Sequence, residues 1–334
     1  MNGKATGRKG SSPLVSPRST AMLLLASFIW GFAFVAQRMG MDYLSPISFN
    51  GTRYFLGAAV LAPLVLIRRH LARKKEALTG QQEELGIESE KALSPEDSNV
   101  TQTASPTSSR KDLLIAGLSC GLVLAVATNL QQIGIYHTTV GKAGFLTTLY
   151  IIIVPMLGVF MKRRVDGIIW AGALLAAVGV YLLCIDETFT INSGDIYVIV
   201  CAFVFSLHIL LIAHFAPRVD GIELSLSQFL VAGIISCLIG FPLEKPLISD
   251  FIGAFWPLAY TGFLSSGVAY TLQIYGQRRA DPSACALIFS LEAVFAVLGG
   301  FLILQQVLSA RELIGCAIML AAVVLVQLPL RKRI

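Results

Sequence analysis

Glu292 carries the sharpest chemical implication in this sequence: it is a carboxylic acid set about ten residues into an otherwise apolar run that starts near Asp281. At 1.5 Å per residue that is roughly 15 Å along a helix, the half-thickness of a bilayer core. An ionisable side chain at such a depth is costly unless it faces protein or water, so it is a functional candidate by default. Three roles are open to it: binding and releasing a proton, contacting an amine on a bound molecule, or making a structural hydrogen bond to a neighbouring helix. His208 is the other near-central titratable group, with an ordinary pKa of about 6.5. It either borders a cavity or is satisfied by a backbone carbonyl. Asn129, Gln132 and Tyr136 share one face of one apolar stretch, and Ser266, Tyr270 and Gln273 share one face of another. Two matching polar stripes suit a water-filled path. Trp30 sits at mid-depth, where interfacial anchoring does not explain a tryptophan. With Tyr150 it joins Asn129, Gln132, His208, Ser266, Tyr270, Gln273 and Glu292 in a set of nine candidates for substrate binding or coupling, Tyr136 serving only to mark its stripe.

Other chemistries lack their parts. The six cysteines (Cys120, Cys184, Cys201, Cys237, Cys285 and Cys316) stand singly inside apolar stretches and form no metal-like cluster. Ser265-Ser266-Gly267 comes nearest to a nucleophile turn, but Leu264 stands where glycine is needed, and no His-Glu-x-x-His spacing or glycine-lysine phosphate loop occurs. No metal, nucleotide or prosthetic group is implied. An enzyme acting on a lipid-borne substrate inside the membrane, or a channel, is the runner-up to a transporter.

These residues must be positioned by membrane helices. The chain is 55% apolar and 14% charged, against about 25% charged in soluble domains. Ten stretches are apolar for about the 20 residues that cross a bilayer; they start near Thr20, Pro46, Leu113, Lys142, Gly167, Asp195, Glu223, Ile252, Asp281 and Arg311. The expected fold is all-α, an integral membrane protein of ten transmembrane helices. The net charge of +6 is placed by side and so does not point to nucleic acid. Of 26 Lys and Arg, 21 fall in the tails and alternate loops, while Lys142, Lys245 and Arg311 fall in the opposite loops. Short cationic loops stay in the cytoplasm, which puts both termini on the cytoplasmic side of the cell's inner (cytoplasmic) membrane. The first apolar run is long and interrupted by Trp30-Gly31, as in an uncleaved helix and unlike a secretory signal.

The same five-helix unit is written twice. A shift of 142 places Asn129-Leu130-Gln131 on Thr271-Leu272-Gln273, Gly134 on Gly276 and Tyr150 on Glu292. Further back the shift is 175, placing Phe28 on Phe203, Trp30 on Phe205 and Arg53 on Gln228. An odd number of spans per unit inverts one copy relative to the other, the pattern of a secondary transporter. The expected organisation is a cytoplasmic tail over 1–19, repeats over 20–185 and 186–330, and a cytoplasmic end over 331–334. The shifts differ through an insert over 71–111, rich in Ser, Thr, Glu, Gln and Pro, which reads as a disordered cytoplasmic loop whose basic run from Arg68 to Lys75 meets lipid head groups. Asn99-Val100-Thr101 matches a glycosylation pattern on the wrong side for one. Arg53, near the outer end of the second helix, reads as a snorkelling structural residue. Pro155 frees the Ile151 carbonyl and bends the fourth helix. Gly117 and Gly121 mark a close helix contact.

Several segments resemble the EamA-like branch of the drug/metabolite transporter superfamily: Phe28 to Val35 in the first helix, Arg53 in the second, Gln131 to Pro155 through the third and fourth, and Ser290-Leu291-Glu292-Ala293 in the ninth. Two positions depart from the family pattern, with Ala293 for a usual proline and Gln306 for a usual glutamate. The resemblance implies a transporter of amino acids or related metabolites, more often exporting than importing, with helices 5 and 10 peripheral and a site built from helices 1, 3, 4, 6, 8 and 9. Its partners would be a small-molecule substrate, the lipid bilayer and, as open options, protons and a second copy of the chain.

Overall fold

The computed structural model describes residues 15–84, 110–138, 140–184, 192–305 and 309–327. Among them the chain is helical throughout: α1 (Pro17–Gly40), α2 (Pro46–Glu84), α3 (Arg110–His137), α4 (Val140–Thr147), α5 (Tyr150–Phe160), α6 (Gly167–Cys184), α7 (Ser193–Phe215), α8 (Gly221–Glu244), α9 (Ile248–Gly253), α10 (Phe255–Ala259), a π-helix (Tyr260–Tyr270), α11 (Thr271–Gln277), α12 (Pro282–Phe289), α13 (Glu292–Leu304) and α14 (Ala310–Gln327). Seven stretches are long and apolar enough to cross a membrane: 17–40, 46–74, 110–137, 143–160, 193–215, 221–244 and 282–303. Of the three other expected spans, those at α6 and α14 have shorter apolar cores, Gly167–Leu182 and Leu313–Val326. The third is divided among α9, α10, the π-helix and α11.

Short-range chemistry starts these helices. Ser16, Asp220 and Asp281 each accept a hydrogen bond from the first turn they precede, and Pro17 and Pro282 fill first positions that need no N–H. Glu244, at the end of α8, caps α2 from across the fold, accepting from Ile47 N at 3.0 Å and Ser48 N at 2.7 Å. Pro257 has no N–H to offer the carbonyl of Gly253, where α9 stops.

Two breaks interrupt helices that the sequence pattern reads as continuous. Thr148 Oγ1 donates to the Phe145 carbonyl at 2.8 Å, and Ser290 Oγ donates to the Leu287 carbonyl at 2.7 Å. Each hydroxyl takes up a carbonyl one turn back, in competition with the regular ladder. Around each the backbone tightens to i→i−3 bonds, Leu149 to Leu146 and Ile151 to Thr148 in one, Leu291 to Ile288 and Ala293 to Ser290 in the other. The breaks lie 142 residues apart, atom for atom. The fourth span is interrupted at Thr148–Leu149, and α5 continues as helix through Pro155.

Glycines set how closely helices approach, as in bilayers, where small residues bring backbones together. A Cβ on Gly117 would lie 2.6 Å from the Ser227 side chain, and one on Gly121 would lie 2.6 Å from that of Val231, so α3 and α8 touch where the small-residue spacing indicated. Gly51 seats α2 against Cys237 of α8, and Tyr54 of α2 stacks on Phe229 of α8 at 5.6 Å. Gly172 and Gly179 seat α6 against α14. Cys120, Cys201, Cys237 and Cys285 form no disulfide among the described residues.

Two expectations are corrected here, on the insert and on Arg53. Residues 71–84 of the expected disordered insert continue α2 as helix, because the 3.6-residue pattern of α2 runs on into a good helix-forming sequence; residues 85–109, with Asn99, lie outside the described residues. Arg68 and Arg69 pair with Asp220 at 3.2 Å and Glu223 at 2.6 Å, in addition to any lipid contact, since α8 begins beside the end of α2. Arg53 is buried, 3% exposed, and does not snorkel. Gln306 also lies outside the described residues.

The close contact of α3 with α8 makes a concrete expectation. Gly121→Leu would press on Val231 and on the Gln228 carbonyl 2.9 Å away. It is expected to cost about 1–3 kcal/mol, seen as a lower melting temperature of the purified protein in detergent. Gly167→Ala, with nothing within 4 Å, is expected to stay within about 0.5 kcal/mol of wild type. Equal shifts for the two would contradict this packing.

Candidate functional site

A cavity enclosing about 510 Å³ of empty space, its opening included, lies among the helices. Helix α1 supplies Trp30, Phe34 and Gln37 to its wall, and α2 supplies Arg53. From α3 to α5 come Gln131, Thr147 and Tyr150; from α7 come Phe205, His208 and Ile209. The π-helix gives Ser265 and Tyr270, α11 gives Gln273, and the broken pair α12–α13 gives Phe289 and Glu292. Helices α6 and α14 contribute nothing to this wall.

At its centre, Tyr150 Oη donates a 2.8 Å hydrogen bond to Glu292 Oε1. Both are first residues after a helix break, and they are 142 residues apart. The break turns each side chain inward, and Gly31 lets α1 close over the junction: a Cβ there would run into Phe295 and lie 2.8 Å from the Glu292 carbonyl. The bond is therefore enclosed by protein, with Tyr150 3% and Glu292 5% exposed.

An aromatic wall faces this pair. Trp30 meets Tyr270 edge-on at 4.9 Å and Phe289 at 5.4 Å, and donates its indole N–H to the Ser265 carbonyl at 3.3 Å. Tyr270 also meets His208 edge-on at 6.1 Å. His208 Nε2 lies 3.0 Å from Gln228 Oε1, so the histidine is held by a side chain and still borders the cavity. The π-helix carrying Ser265 and Tyr270 is a rare geometry that is enriched at functional sites. Gly57 of α2 allows its approach: a Cβ there would stand 2.8 Å from Ser266 Cβ.

Six of the nine residues singled out from sequence border the cavity: Trp30, Tyr150, His208, Tyr270, Gln273 and Glu292. The other three lie off its wall. Asn129 accepts from Asn50 Nδ2 at 3.0 Å and donates to Ser236 Oγ at 2.8 Å. Gln132 Nε2 donates to the Gln37 carbonyl and contacts Met41 Sδ. Ser266 is buried against α2. Tyr136 is 48% exposed, which removes it from the polar stripe. Gln37, Arg53, Gln131, Thr147 and Ser265 were not anticipated. The 142 shift could have supplied two of them, since Gln131 is the mate of Gln273 and Thr147 the mate of Phe289. Three buried polar atoms of the wall, Gln37 Oε1, Arg53 Nε and Gln273 Oε1, have no hydrogen-bond partner among the described residues. No cluster of metal-ligating side chains is found among the described residues.

The central bond can be weighed directly. Tyr150→Phe leaves a buried carboxyl group without its one tyrosine donor and is expected to cost about 1–3 kcal/mol. The check is thermal unfolding in detergent beside wild type; an unchanged melting temperature would mean that the bond is not made in the protein.

Comparison with known proteins agrees with this architecture. The model of the EamA-like transporter family matches residues 18–85 and 192–328. The chain is 27% identical over 313 residues to an "Uncharacterized transporter" of Archaeoglobus fulgidus, covering 92% of this chain and 84% of that one. It is 20% identical over 300 residues to the "Uncharacterized transporter YoaV" of Bacillus subtilis, covering 88% and 91%. A chloroplastic WAT1-related protein of Arabidopsis thaliana matches over 209 residues at 23% identity, covering 59% of this chain and 50% of that one. A solved crystal structure shares the fold with a TM-score of 0.66 at 17% identity, covering 92% of this chain and 95% of that one. With family matches in both halves and membrane-length apolar helices between them, the chain belongs to the EamA-like transporter family and is a multi-pass membrane transporter.

Proposed function

We propose that this transporter moves small polar or amphipathic metabolites, amino acids and related compounds among them, through the central cavity by alternating access, with export as the favoured direction. The observation that carries this reading is the pairing of the cavity wall. Trp30 with Phe205 is separated by 175 residues; Gln131 with Gln273, Thr147 with Phe289 and Tyr150 with Glu292 are each separated by 142. A wall drawn from matched positions suits two five-helix repeats, over 20–185 and 186–330, inserted in opposite directions around one site. Their rocking would expose the cavity to each side in turn. The matched breaks of α4–α5 and α12–α13 are suitable hinges, because such helices already lack a continuous ladder there.

On this reading the chain crosses the cytoplasmic membrane ten times with both termini in the cytoplasm, in keeping with 21 of its 26 Lys and Arg on one side. Trp30, Tyr150, His208, Tyr270, Gln273 and Glu292 meet the substrate or the coupling ion, while Asn129, Gln132 and Ser266 brace the wall from behind. Glu292 exchanges a proton and thereby makes or releases the Tyr150 bond during the cycle.

The test is counterflow in proteoliposomes loaded with a mixed metabolite pool, at two pH values, with wild type and Glu292→Gln side by side. Wild type is expected to exchange one compound class saturably, at a rate that changes with pH. Glu292→Gln keeps an acceptor for Tyr150 but cannot titrate, so its rate is expected to be the same at both pH values. A folded wild type that exchanges nothing from a broad pool would overturn the transport reading of this cavity. A variant with unaltered pH dependence would remove Glu292 from coupling.

A further inference from the structure

We propose that Arg53 is the docking point for an acidic group on the transported compound, which makes the substrate a small organic acid or zwitterion with an apolar body. This inference rests on the cavity being the transport site and names what that site selects.

Arg53 is a guanidinium buried at 3% exposure in the cavity wall. A charge taken out of water is ordinarily paired with an opposite charge or fully hydrogen-bonded. Arg53 is neither among the described residues. Its Nη2 donates to Tyr54 Oη at 3.2 Å, and its guanidinium carbon stands 5.0 Å from the Tyr54 ring centre. Its Nε has no acceptor. The ion pairs found among the described residues are Arg68–Asp220 and Arg69–Glu223, at the far end of α2. Glu292 borders the same cavity but is bonded to Tyr150, not to Arg53. The cavity wall therefore holds a cation with which no carboxylate is paired among the described residues.

The fold places this cation deliberately close to the void. Gly57, one turn after Arg53, lets α2 settle onto the π-helix, and a Cβ on Gly262 would lie 3.2 Å from the Arg53 carbonyl. A guanidinium presents parallel N–H donors that match the two oxygens of a carboxylate. Next to it, Trp30, Tyr270 and Phe289 offer aromatic surface to an apolar body. Gln37 Oε1 and Gln273 Oε1 are acceptors without donors and suit an N–H or O–H on the same molecule.

The test compares matched acids and amides that differ only in the acidic group: 3-phenylpropionate with 3-phenylpropionamide, and phenylalanine with phenylalaninamide. Binding is read as stabilisation of the purified full chain against heat, and exchange is read as counterflow in proteoliposomes. Wild type is expected to bind at least one acid about tenfold or more tighter than its amide. Arg53→Gln is expected to erase that ratio, and Arg53→Lys to keep part of it, since the charge stays and the fork is lost. If Arg53→Gln does not fold, the acid–amide ratio of wild type and its reduction in Arg53→Lys decide the matter. Amides bound as tightly as acids, no acid bound at all, or an acid preference that survives Arg53→Gln would each overturn the proposal. Acids bound through Arg53 but never exchanged would uphold the docking point and sink the transport reading. Exchange of neutral compounds alone would do the reverse.

Discussion

The hydrogen bond between Tyr150 and Glu292 is the constraint around which the rest of the interior is arranged. A carboxyl group at this depth is tolerable only if protein or water meets it, and here the partner is a tyrosine from the other half of the chain. To bring the two together, both helices have to stop and restart just before them. Thr148 and Ser290 make that stop affordable by donating their hydroxyls to carbonyls one turn back, so the interrupted ladders leave fewer backbone groups bare. Gly31 then allows α1 to lie directly against the restarted α13.

The two halves solve one packing problem differently. In the first, α3 runs unbroken from Arg110 to His137 and supplies Gln131 to the cavity. In the second, the corresponding span is cut into α9, α10, a π-helix and α11, and supplies Ser265, Tyr270 and Gln273. Thr261 and Thr271 donate their hydroxyls to the Pro257 and Gly267 carbonyls around this π-helix. Its wider turn carries Tyr270 to Trp30, His208 and Phe229, each edge-on within about 6 Å. Positions 142 residues apart therefore recur in the cavity wall, while the π-helix supplies Tyr270 to its aromatic face.

How far the sequence alone could see follows from the geometry of a helix. Periodicity of 100° per residue says which side chains share a face but not which face turns inward. That is why Gln132, on the face read as a stripe, packs against Gln37 and Met41, while its neighbour Gln131 meets the cavity. Arg53 went astray for a related reason: distance from a helix end suggested snorkelling, yet its direction is set by α8 and the π-helix closing around α2. The helix breaks are invisible to hydropathy because Thr148 and Ser290 are small and lie in strongly apolar runs. Their equivalence at a spacing of 142 was nonetheless implicit in the duplicated pattern.

The sequence by itself determined that this is a helical membrane protein, where its apolar stretches begin to within about four residues, and that Tyr150 and Glu292 stand 142 residues apart within apolar runs. Those properties are local or follow from the cost of placing polar groups in lipid, so composition, charge placement and internal matching are enough to read them. Only the tertiary structure decided that Tyr150 and Glu292 touch, that Arg53 borders the cavity with no carboxylate paired to it among the described residues, and that Asn129, Gln132 and Ser266 lie off its wall. Those facts depend on how far each helix is rotated and where it is broken, and both are set by contacts between residues distant in the chain.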